Sequence, residues 1–349
     1  MRHIGVDLHK TNFVACFLSA GETQRLETYP LTREGLALFK RQLRKADELA
    51  VEATQNVHYF YDRVKGHVSR VAAADTYRFG VIAESKEKTD KADAAAPARF
   101  LRLGWLPEVP VPSEQVRTLR QLLQARETLV GMRTKLKNMA HAAFSRNGVA
   151  LRRAAFASAA SRARLAERDD LPAADRLVLG VALRQIEQLD AEVKAVEEEV
   201  VRRGKTLRGV RRLLQVHGLN RLSAISLPAE VGDIALFDTS KQLVSYAWLA
   251  TSTRQPSATT RHGGITKRGR KRLRTVVIQA VLAMDNRTDT PLMSFYQKKK
   301  REKGAGKAIC ATARGLLTII FVLLKKGLDY WYLEDRLYNR KLRALDAAA

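Results

Sequence analysis

Four carboxylates within the first 93 residues place the strongest constraint on how this chain can fold. Asp7 and Glu52 each end a short apolar run typical of a β-strand, in the segments IGVDLHK and LAVEAT. Asp90 and Asp93, in KTDKADA, lie three residues apart and therefore on one face of a predicted helix. Four acids can share one site only when cations lie between them. The pattern predicts a fold that gathers two strand ends and a helix around divalent metal, an arrangement suited to cleaving phosphodiester bonds.

A single acid would not support this interpretation. An aspartate after a strand is commonly a turn residue, and an aspartate at the start of a helix is favoured by the helix dipole. His9, two residues after Asp7, is expected to be a packing or turn residue rather than a metal ligand. Four acids in the order strand, strand, helix favour catalysis over four separate structural roles.

The charge of the chain indicates a polyanionic partner. The 349 residues include 62 Lys and Arg against 36 Asp and Glu, a net charge of +26, while 46% hydrophobic content excludes a disordered protein. This excess of positive charge predicts binding to nucleic acid with an affinity that falls steeply with salt. The two cysteines, Cys16 and Cys310, are expected to be buried thiols in a reducing cytosol. The first residues are expected to form a strand rather than a signal peptide, and the apolar run 316–324 is too short to cross a membrane. We therefore expect a cytoplasmic, nucleoid-associated protein of a bacterium or archaeon, with no membrane partner.

Residues 1–112 are predicted to form an α/β domain. Strand-like segments come first, and helices and strands then alternate, which is the order of a ribonuclease-H-like or RuvC-like domain. The segment GWLPEVPVPSEQ, rich in proline, is the expected linker to a mostly helical remainder.

Residues 113–203 are predicted to form long helices. Leucines recur every seven residues at 122, 129 and 136, and a second helix carries an apolar seam with three- and four-residue spacing: Leu179, Ala182, Ile186, Leu189, Val193, Val196 and Val200. Two interpretations remain open. The segment is either an antiparallel helical hairpin within the chain or a coiled-coil arm that joins two chains.

Residues 204–335 are predicted to form a third domain, followed by a frayed tail, 336–349. Two short helices flank the turn His217–Asn220, a pattern that resembles a helix-hairpin-helix element, whose turn offers backbone N–H groups to DNA phosphates. Asn220 stands where such elements usually carry a second glycine. An ordinary helical turn is the alternative.

Residues 251–267 are rich in Ser, Thr and Gly and are predicted to form an exposed functional loop. A charge run is often only a solvated surface, but this one adjoins the hydroxyl-rich loop and opens an apolar helix, which favours phosphate contact. The predicted nucleic-acid-binding residues are Arg261, His262, Lys267, Arg268, Arg270, Lys271, Arg272 and Arg274, with Lys298, Lys299 and Lys300 in a second basic run.

Taken together, these segments resemble the DEDD transposases of the insertion sequence 110 family, which includes Piv-type DNA invertases. GVDLHK, VEAT and KTDKADA resemble the three acid-bearing segments, and LLQVHGLNRLSAISLPAEVGD with YAWLATSTRQPSATTRHGGITKRGRKRLR resembles the C-terminal transposase domain. The resemblance implies a RuvC-like domain whose four acids (Asp7, Glu52, Asp90 and Asp93) hold Mg²⁺ or Mn²⁺, a helical arm that mediates dimerisation, and a nucleophilic serine. It also implies target and donor DNA as partners, a structured bridge RNA as guide, and a homodimer that pairs into a tetramer during synapsis.

Three positions depart from the family pattern. Gln55 and Trp248 each stand where the family usually has glycine. The serine position falls on Pro256, so Ser257 is the first candidate for the nucleophile, with Ser252 and Thr259 as alternatives.

The leading hypothesis is a recombinase that cleaves and rejoins DNA. One alternative is a metal-dependent nuclease of the Holliday-junction-resolvase type, which would use water as its nucleophile. The other is a nucleic-acid-binding relative without catalysis, and the departure at Pro256 keeps it open.

Overall fold

A computed structural model describes residues 1–19, 24–54, 56–75, 90–152, 154–249, 251–254, 261–265, 270–284 and 289–347. Side chains are described for these residues except 90–93, 251–254 and 261–265. The chain divides into two compact units, Met1–Val111 and Pro112–Ala349. Each unit has its own hydrophobic core.

The first unit is built on a six-stranded mixed sheet with the strand order β3-β2-β1-β4-β5-β6. Strands β1, β2 and β3 are antiparallel neighbours, whereas β4 lies parallel to β1 and β5 lies parallel to β4. The short β6 closes the sheet antiparallel to β5. The strand bounds are His3–Leu8, Asn12–Leu18, Gln24–Pro30, Glu48–Glu52, Arg70–Ala74 and Glu108–Val109.

Helices cover both faces of this sheet. Helices α1 (Arg33–Gln42) and α2 (Val57–Val64) pack on one face of the sheet. There the rings of Phe39 and Phe60 contact the ring of Phe13, with centroid distances of 5.1 and 5.2 Å. The α1 helix starts at Thr32 because the threonine side chain accepts a hydrogen bond from the backbone N–H of Gly35. Alternating residues of β1 send Ile4, Val6 and Leu8 into this core.

Helix α3 (Asp90–Arg102) packs on the opposite face of the sheet. The contact is close because Gly5 has no side chain. A Cβ atom at Gly5 would lie 2.1 Å from the backbone oxygen of Ala94 and 2.7 Å from the backbone nitrogen of Ala98. The backbones of β1 and α3 are therefore in direct contact at Gly5, which fixes the position of α3 relative to β1.

The second unit begins with a long antiparallel helical hairpin, formed by α4 (Glu114–Arg146) and α6 (Ala173–Gly204) with the short α5 (Ala159–Ala166) at its tip. Pairing is within the chain: Arg126 contacts Glu197 at 2.6 Å and Arg133 contacts Asp190 at 2.5 Å. Five of the seven seam residues on α6 are buried, namely Leu179, Ala182, Ile186, Val193 and Val200. The structure thus contains the intrachain hairpin, and a role of this hairpin in joining two chains stays a prediction.

The rest of the second unit is a helical body. Its elements are α7 (Val210–Leu213), α8 (Arg221–Val231), a 3₁₀ turn (Ile234–Leu236), α9 (Ser240–Tyr246), the two-stranded β7–β8 sheet (Thr251–Arg254 and Arg261–Ile265), α10 (Lys271–Ala283), α11 (Pro291–Lys303), α12 (Ala305–Lys326) and α13 (Asp335–Asp346). One hydrophobic cluster joins these helices to the base of the hairpin.

Helix α12 lies at the centre of this cluster. By length and composition it is the one helix in the described part of the chain that could cross a membrane. Its apolar side chains are instead packed inside the body, where Leu316, Leu317 and Ile320 are fully buried. Such burial is typical of the core helix of a folded domain.

Two segments differ from the sequence prediction. The expected loop at 251–267 contains the antiparallel strands β7 and β8. The expected frayed tail is the helix α13, which buries Leu345 completely and is tied back by an ion pair of 2.7 Å between Arg211 and Asp346. Both corrections lie in stretches whose strand or helix pattern is carried by few apolar residues.

Candidate active site and nucleic-acid interface

Asp7 and Glu52 lie at the ends of two adjacent parallel strands. The register pairs Val6 of β1 with Val51 of β4, so the two acids follow one residue later, side by side and on the same face of the sheet. Neighbouring strands are about 4.8 Å apart, which brings both carboxylates within reach of one cation. The Asp7 side chain is 13% exposed, and its Oδ2 lies 3.2 Å from Nε2 of His9. His9, expected from the sequence to be a packing or turn residue, lies in the turn between β1 and β2, where its backbone N–H donates to the oxygen of Asn12 at 2.9 Å.

Helix α3 carries Asp90 and Asp93 on this same side of the sheet. Ala94 and Ala98 lie against Gly5, whose side faces the same way as Asp7 two residues later. Burial lowers the pKa of the His3 imidazole, the charge of Glu48 opposes this shift, and the charge of Arg102 at the carboxyl end of α3 adds to it.

A metal site can be assessed for only part of the acid set. Among the side chains that the structure describes, no group of three or more His, Cys, Asp or Glu residues could hold a metal ion. The side chains of Asp90 and Asp93 lie outside that description. The described part of the acid set suits a cation, because Asp7 and Glu52 lie at strand ends on one face of the sheet, beside the helix that bears Asp90 and Asp93.

The segment that carries the candidate serine is anchored to the helical body at both ends, around residues 246–249 and at residue 270. The backbone N–H of Arg270 donates to the oxygen of Tyr246 at 3.3 Å, and Nε of Arg270 donates to the Tyr246 hydroxyl at 2.9 Å. Nε of Arg314 donates to the backbone oxygen of Leu249 at 2.5 Å. Beyond these anchors β7 pairs with β8. Ser252 lies in β7, whereas Ser257, Thr259 and Pro256 lie outside the described residues.

Trp248 occupies a backbone conformation that favours glycine. Its φ is 56°, and it is the one residue other than glycine with a positive φ in the described part of the chain. The family pattern has glycine at this position, and the turn before β7 has the left-handed backbone that favours glycine even though the residue here is tryptophan. The strain lies directly before the serine-bearing segment.

The basic residues that follow the serine-bearing segment are either held in ion pairs or exposed to solvent. Arg272 donates to the carboxylate of Glu230 at 2.6 Å and also contacts Glu127 and Gln124. The Glu230 side chain is only 2% exposed, so this ion pair ties α10 to α8 in the core. Arg272 thus has a structural role that the sequence did not indicate. Lys271 is exposed, and Arg270 is about two-fifths exposed at 41%.

The remaining predicted contacts are placed as follows. Arg274 is partly buried, and its Nη1 has no hydrogen-bond partner among the described residues. Arg261 and His262 lie in β8, with side chains outside the description, and Lys267 and Arg268 lie outside the described residues. Lys298 and Lys300 are exposed near the carboxyl end of α11, where the helix dipole also favours cations. Lys299 contacts Glu302 at 2.7 Å. Phosphate contact by these residues stays a prediction.

The turn at 217–220 joins α7 to α8. Asn220 starts α8 with a reciprocal capping arrangement, in which its side chain accepts from the N–H of Ser223 and the Ser223 hydroxyl accepts from the N–H of Asn220. Gly218 has a φ of 77°, and a Cβ there would lie 2.2 Å from the backbone oxygen of Ala280. Asparagine can replace the second glycine because position 220 is extended, with a φ of −103°.

Comparison with known proteins assigns the class. Residues 4–146 match a model of the IS110 DEDD type described as a transposase, and residues 210–297 match the transposase model of the IS116/IS110/IS902 family. A probable family 20 transposase of Pseudomonas aeruginosa is 26% identical over 352 residues, covering 95% of this chain and 98% of the relative. The transposase for insertion sequence element IS1111A of Coxiella burnetii is 29% identical over 252 residues, covering 70% of this chain and 68% of that protein.

These matches identify a transposase, a class of protein that acts on DNA. More narrowly, the chain belongs to the IS110 family of transposases, as its sequence motifs indicate. The two matched segments leave residues 1–3, 147–209 and 298–349 outside the family models.

Proposed function

We propose that this transposase cleaves and rejoins DNA strands with an acid cluster formed by Asp7, Glu52, Asp90 and Asp93. One observation carries the proposal: Asp7 and Glu52 lie side by side at strand ends, on the sheet face that α3 covers. The strand order and the helices on both faces agree with a ribonuclease-H-like domain, which is the fold that the sequence pattern predicts.

The four carboxylates would hold Mg²⁺ or Mn²⁺. When bound, such a cation polarises a phosphodiester and stabilises the charge that develops on its oxygens. The residues of the chain do the rest. Asp7 and Glu52 are held rigidly by the β1–β4 register, and His9 contacts Asp7 and can orient its carboxylate. Rigid strands are suited to this task because the reacting groups must keep their positions within fractions of an ångström.

The nucleophile would be Ser257, with Ser252 and Thr259 as alternatives. Its Oγ would form a bond to the phosphorus while the bond from phosphorus to one sugar oxygen breaks, and the serine proton passes overall to the released sugar hydroxyl. The covalent phosphoserine keeps the bond energy, so the strand can be transferred to a new partner without ATP. An element-encoded bridge RNA would select target and donor DNA, and a homodimer pairing into a tetramer would hold the two duplexes, in the cytoplasm.

The test is DNA cleavage and rejoining by the full chain with its element ends and guide RNA. Asp7→Asn and Glu52→Gln should abolish rejoined products while leaving the fold, measured by circular dichroism, unchanged. Wild-type rates in both variants would contradict the acid site.

The serine is tested separately by trapping. Denaturing electrophoresis should show a protein–DNA adduct in the wild type and none in Ser257→Ala. An adduct that persists in Ser257→Ala but disappears in Ser252→Ala would move the nucleophile to β7. Free ends without any adduct would favour a hydrolytic nuclease.

A further inference from the structure

The C-terminal helix α13 presents a row of arginines to solvent. Arg336, Arg340 and Arg343 are all exposed and follow one another at four- and three-residue spacing, which places them on one face of the helix. Within the described part of the chain, none of the three pairs with a carboxylate. The row spans about 10 Å along the helix, at 1.5 Å per residue.

The acids and apolar groups of α13 are used on its other side. Asp346 pairs with Arg211 of α7, and Glu334, which precedes the helix, lies 3.3 Å from Nε2 of His217. Leu345 is fully buried, and Tyr338 and Leu342 pack against the same core. The helix is therefore docked on the body through its apolar side chains and the Arg211–Asp346 pair, and the arginine row lies on its exposed face.

Lys341 fixes this helix to the 217–220 turn. Its Nζ donates to the backbone oxygens of Leu214 and Val216 at 3.0 and 2.8 Å, just before the turn. Between the turn and α13 lies a cleft of about 810 Å³, lined by Asn220, Arg340 and Tyr332 among others. In it, Nδ1 of His217 is buried without a hydrogen-bond partner among the described residues.

We infer that α13 and the 217–220 turn form a binding surface for the sugar-phosphate backbone of duplex DNA. The arginine row supplies three positive charges over about 10 Å, a length over which one strand of a duplex carries about three phosphates. The cleft beside Arg340, which Asp289 and Glu334 also line, has room for a phosphodiester. The sequence of the turn resembles an element whose backbone N–H groups contact phosphate. Duplex DNA is favoured as the occupant because the chain is a transposase. The inference rests on the proposed function, and it adds a contact surface whose helix, α13, lies outside both matched segments.

The experiment measures how the affinity of the full chain for a 30-base-pair duplex of random sequence, an illustrative length of about three helical turns, depends on salt. Each phosphate contact contributes about 0.9 to the slope of log K against log salt. The triple variant R336Q/R340Q/R343Q should therefore lower the slope by about 2–3. A triple variant that changes the same charge on the helical hairpin, K135Q/R184Q/K194Q, is the matched control and should change the slope by less than about 1.

Further variants and a second ligand test whether a change in slope comes from lost charge, from a disturbed fold or from a preference for RNA. R336K/R340K/R343K keeps the charge and should keep the wild-type slope; a loss equal to that of the glutamine variant would overturn the phosphate assignment. Equal losses in the hairpin control would also overturn it. So would a glutamine variant that loses affinity for an RNA hairpin but not for the duplex.

Failure of this inference can be told from failure of the proposed function. If the glutamine variant binds the duplex with the wild-type slope while Asp7→Asn still abolishes cleavage, only the surface on α13 is wrong. If the wild-type chain fails to bind the duplex at low salt, the surface on α13 is wrong, and the cleavage assay with element ends and guide RNA then decides the proposed function by itself.

Discussion

Replacing Gly5 by alanine should disturb the acid cluster without touching an acid. The added Cβ would lie 2.1 Å from the oxygen of Ala94 and 2.7 Å from the nitrogen of Ala98, whereas comfortable contacts between heavy atoms are about 3.5 Å. Both neighbours are backbone atoms and cannot rotate away, so α3 must move from β1 by roughly 1 Å. Overpacking of this kind costs about 1–3 kcal/mol, and we expect the upper end here.

The same displacement should slow the chemistry. Asp93 directly precedes Ala94, so a shift of α3 moves its aspartates away from Asp7 and Glu52. A misplacement of about 1 Å can reduce a rate by about 100-fold. Urea unfolding of the full chain, followed by circular dichroism, measures the stability, and hydrogen exchange of peptides from β1 and α3 assigns the loss to this contact. Cleavage in Mg²⁺ measures the rate.

Gly66→Ala is the matched control for this substitution. Gly66 is exposed, and a Cβ there would meet no atom within 4 Å, so its unfolding free energy and cleavage rate should stay close to those of the wild type. A Gly5→Ala protein that is as stable and as active as Gly66→Ala would refute the close packing of α3 on β1, and with it the argument that this contact positions the acids.

Two further predictions concern buried charges in the second unit. Arg272→Met should lower the free energy of unfolding by about 3 kcal/mol, because Glu230 is left buried without its main partner, whereas Lys299→Met at an exposed pair should cost less than about 1 kcal/mol; urea denaturation that shows equal losses would contradict this. Burial lowers the pKa of Lys341 from 10.5 to about 8, so the unfolded chain binds this proton more tightly and stability should rise with pH between about 8 and 10.5. A neutral amine still has two hydrogens for its two carbonyl partners. Unfolding curves of wild type and Lys341→Met that stay parallel from pH 7.5 to 10 would exclude this titration.

Most of the first unit is predictable from sequence because β1, β2, β4 and β5 carry a local strand signal, whereas β6 lies in the segment expected to be the linker. The runs ending at Asp7 and Glu52 are apolar and short, and the helix with Leu36 and Phe39 is amphipathic, so pattern alone orders the elements. The heptad spacing likewise predicts the long helices. It cannot tell whether the facing helix belongs to the same chain, because an intrachain seam and an interchain seam have the same period.

The misses have equally specific causes. Strands β7 and β8 read TSTR and RHGGI, so they lack the apolar alternation that marks a half-buried strand. Helix α13 does carry an apolar stripe, Tyr338, Leu342 and Leu345, but it is short, highly charged and terminal. Its spacing of four and three residues was the signal that could have revealed it.

Placement, not abundance, decides which cations of this chain can meet DNA. Arg272 stands in the densest basic run, yet its guanidinium is held by Glu230, Glu127 and Gln124. Moving it to a phosphate would leave the buried Glu230 with only its 3.9 Å contact to Arg270. Arg340 stands in an inconspicuous helix, yet it is exposed and lines a cleft. The count of 62 Lys and Arg therefore overstates the number of cations available to nucleic acid, since ion pairs such as Arg272–Glu230 occupy part of them. For this reason the salt dependence should respond to removal of the α13 arginines, whereas Arg272→Met should first appear as lost stability.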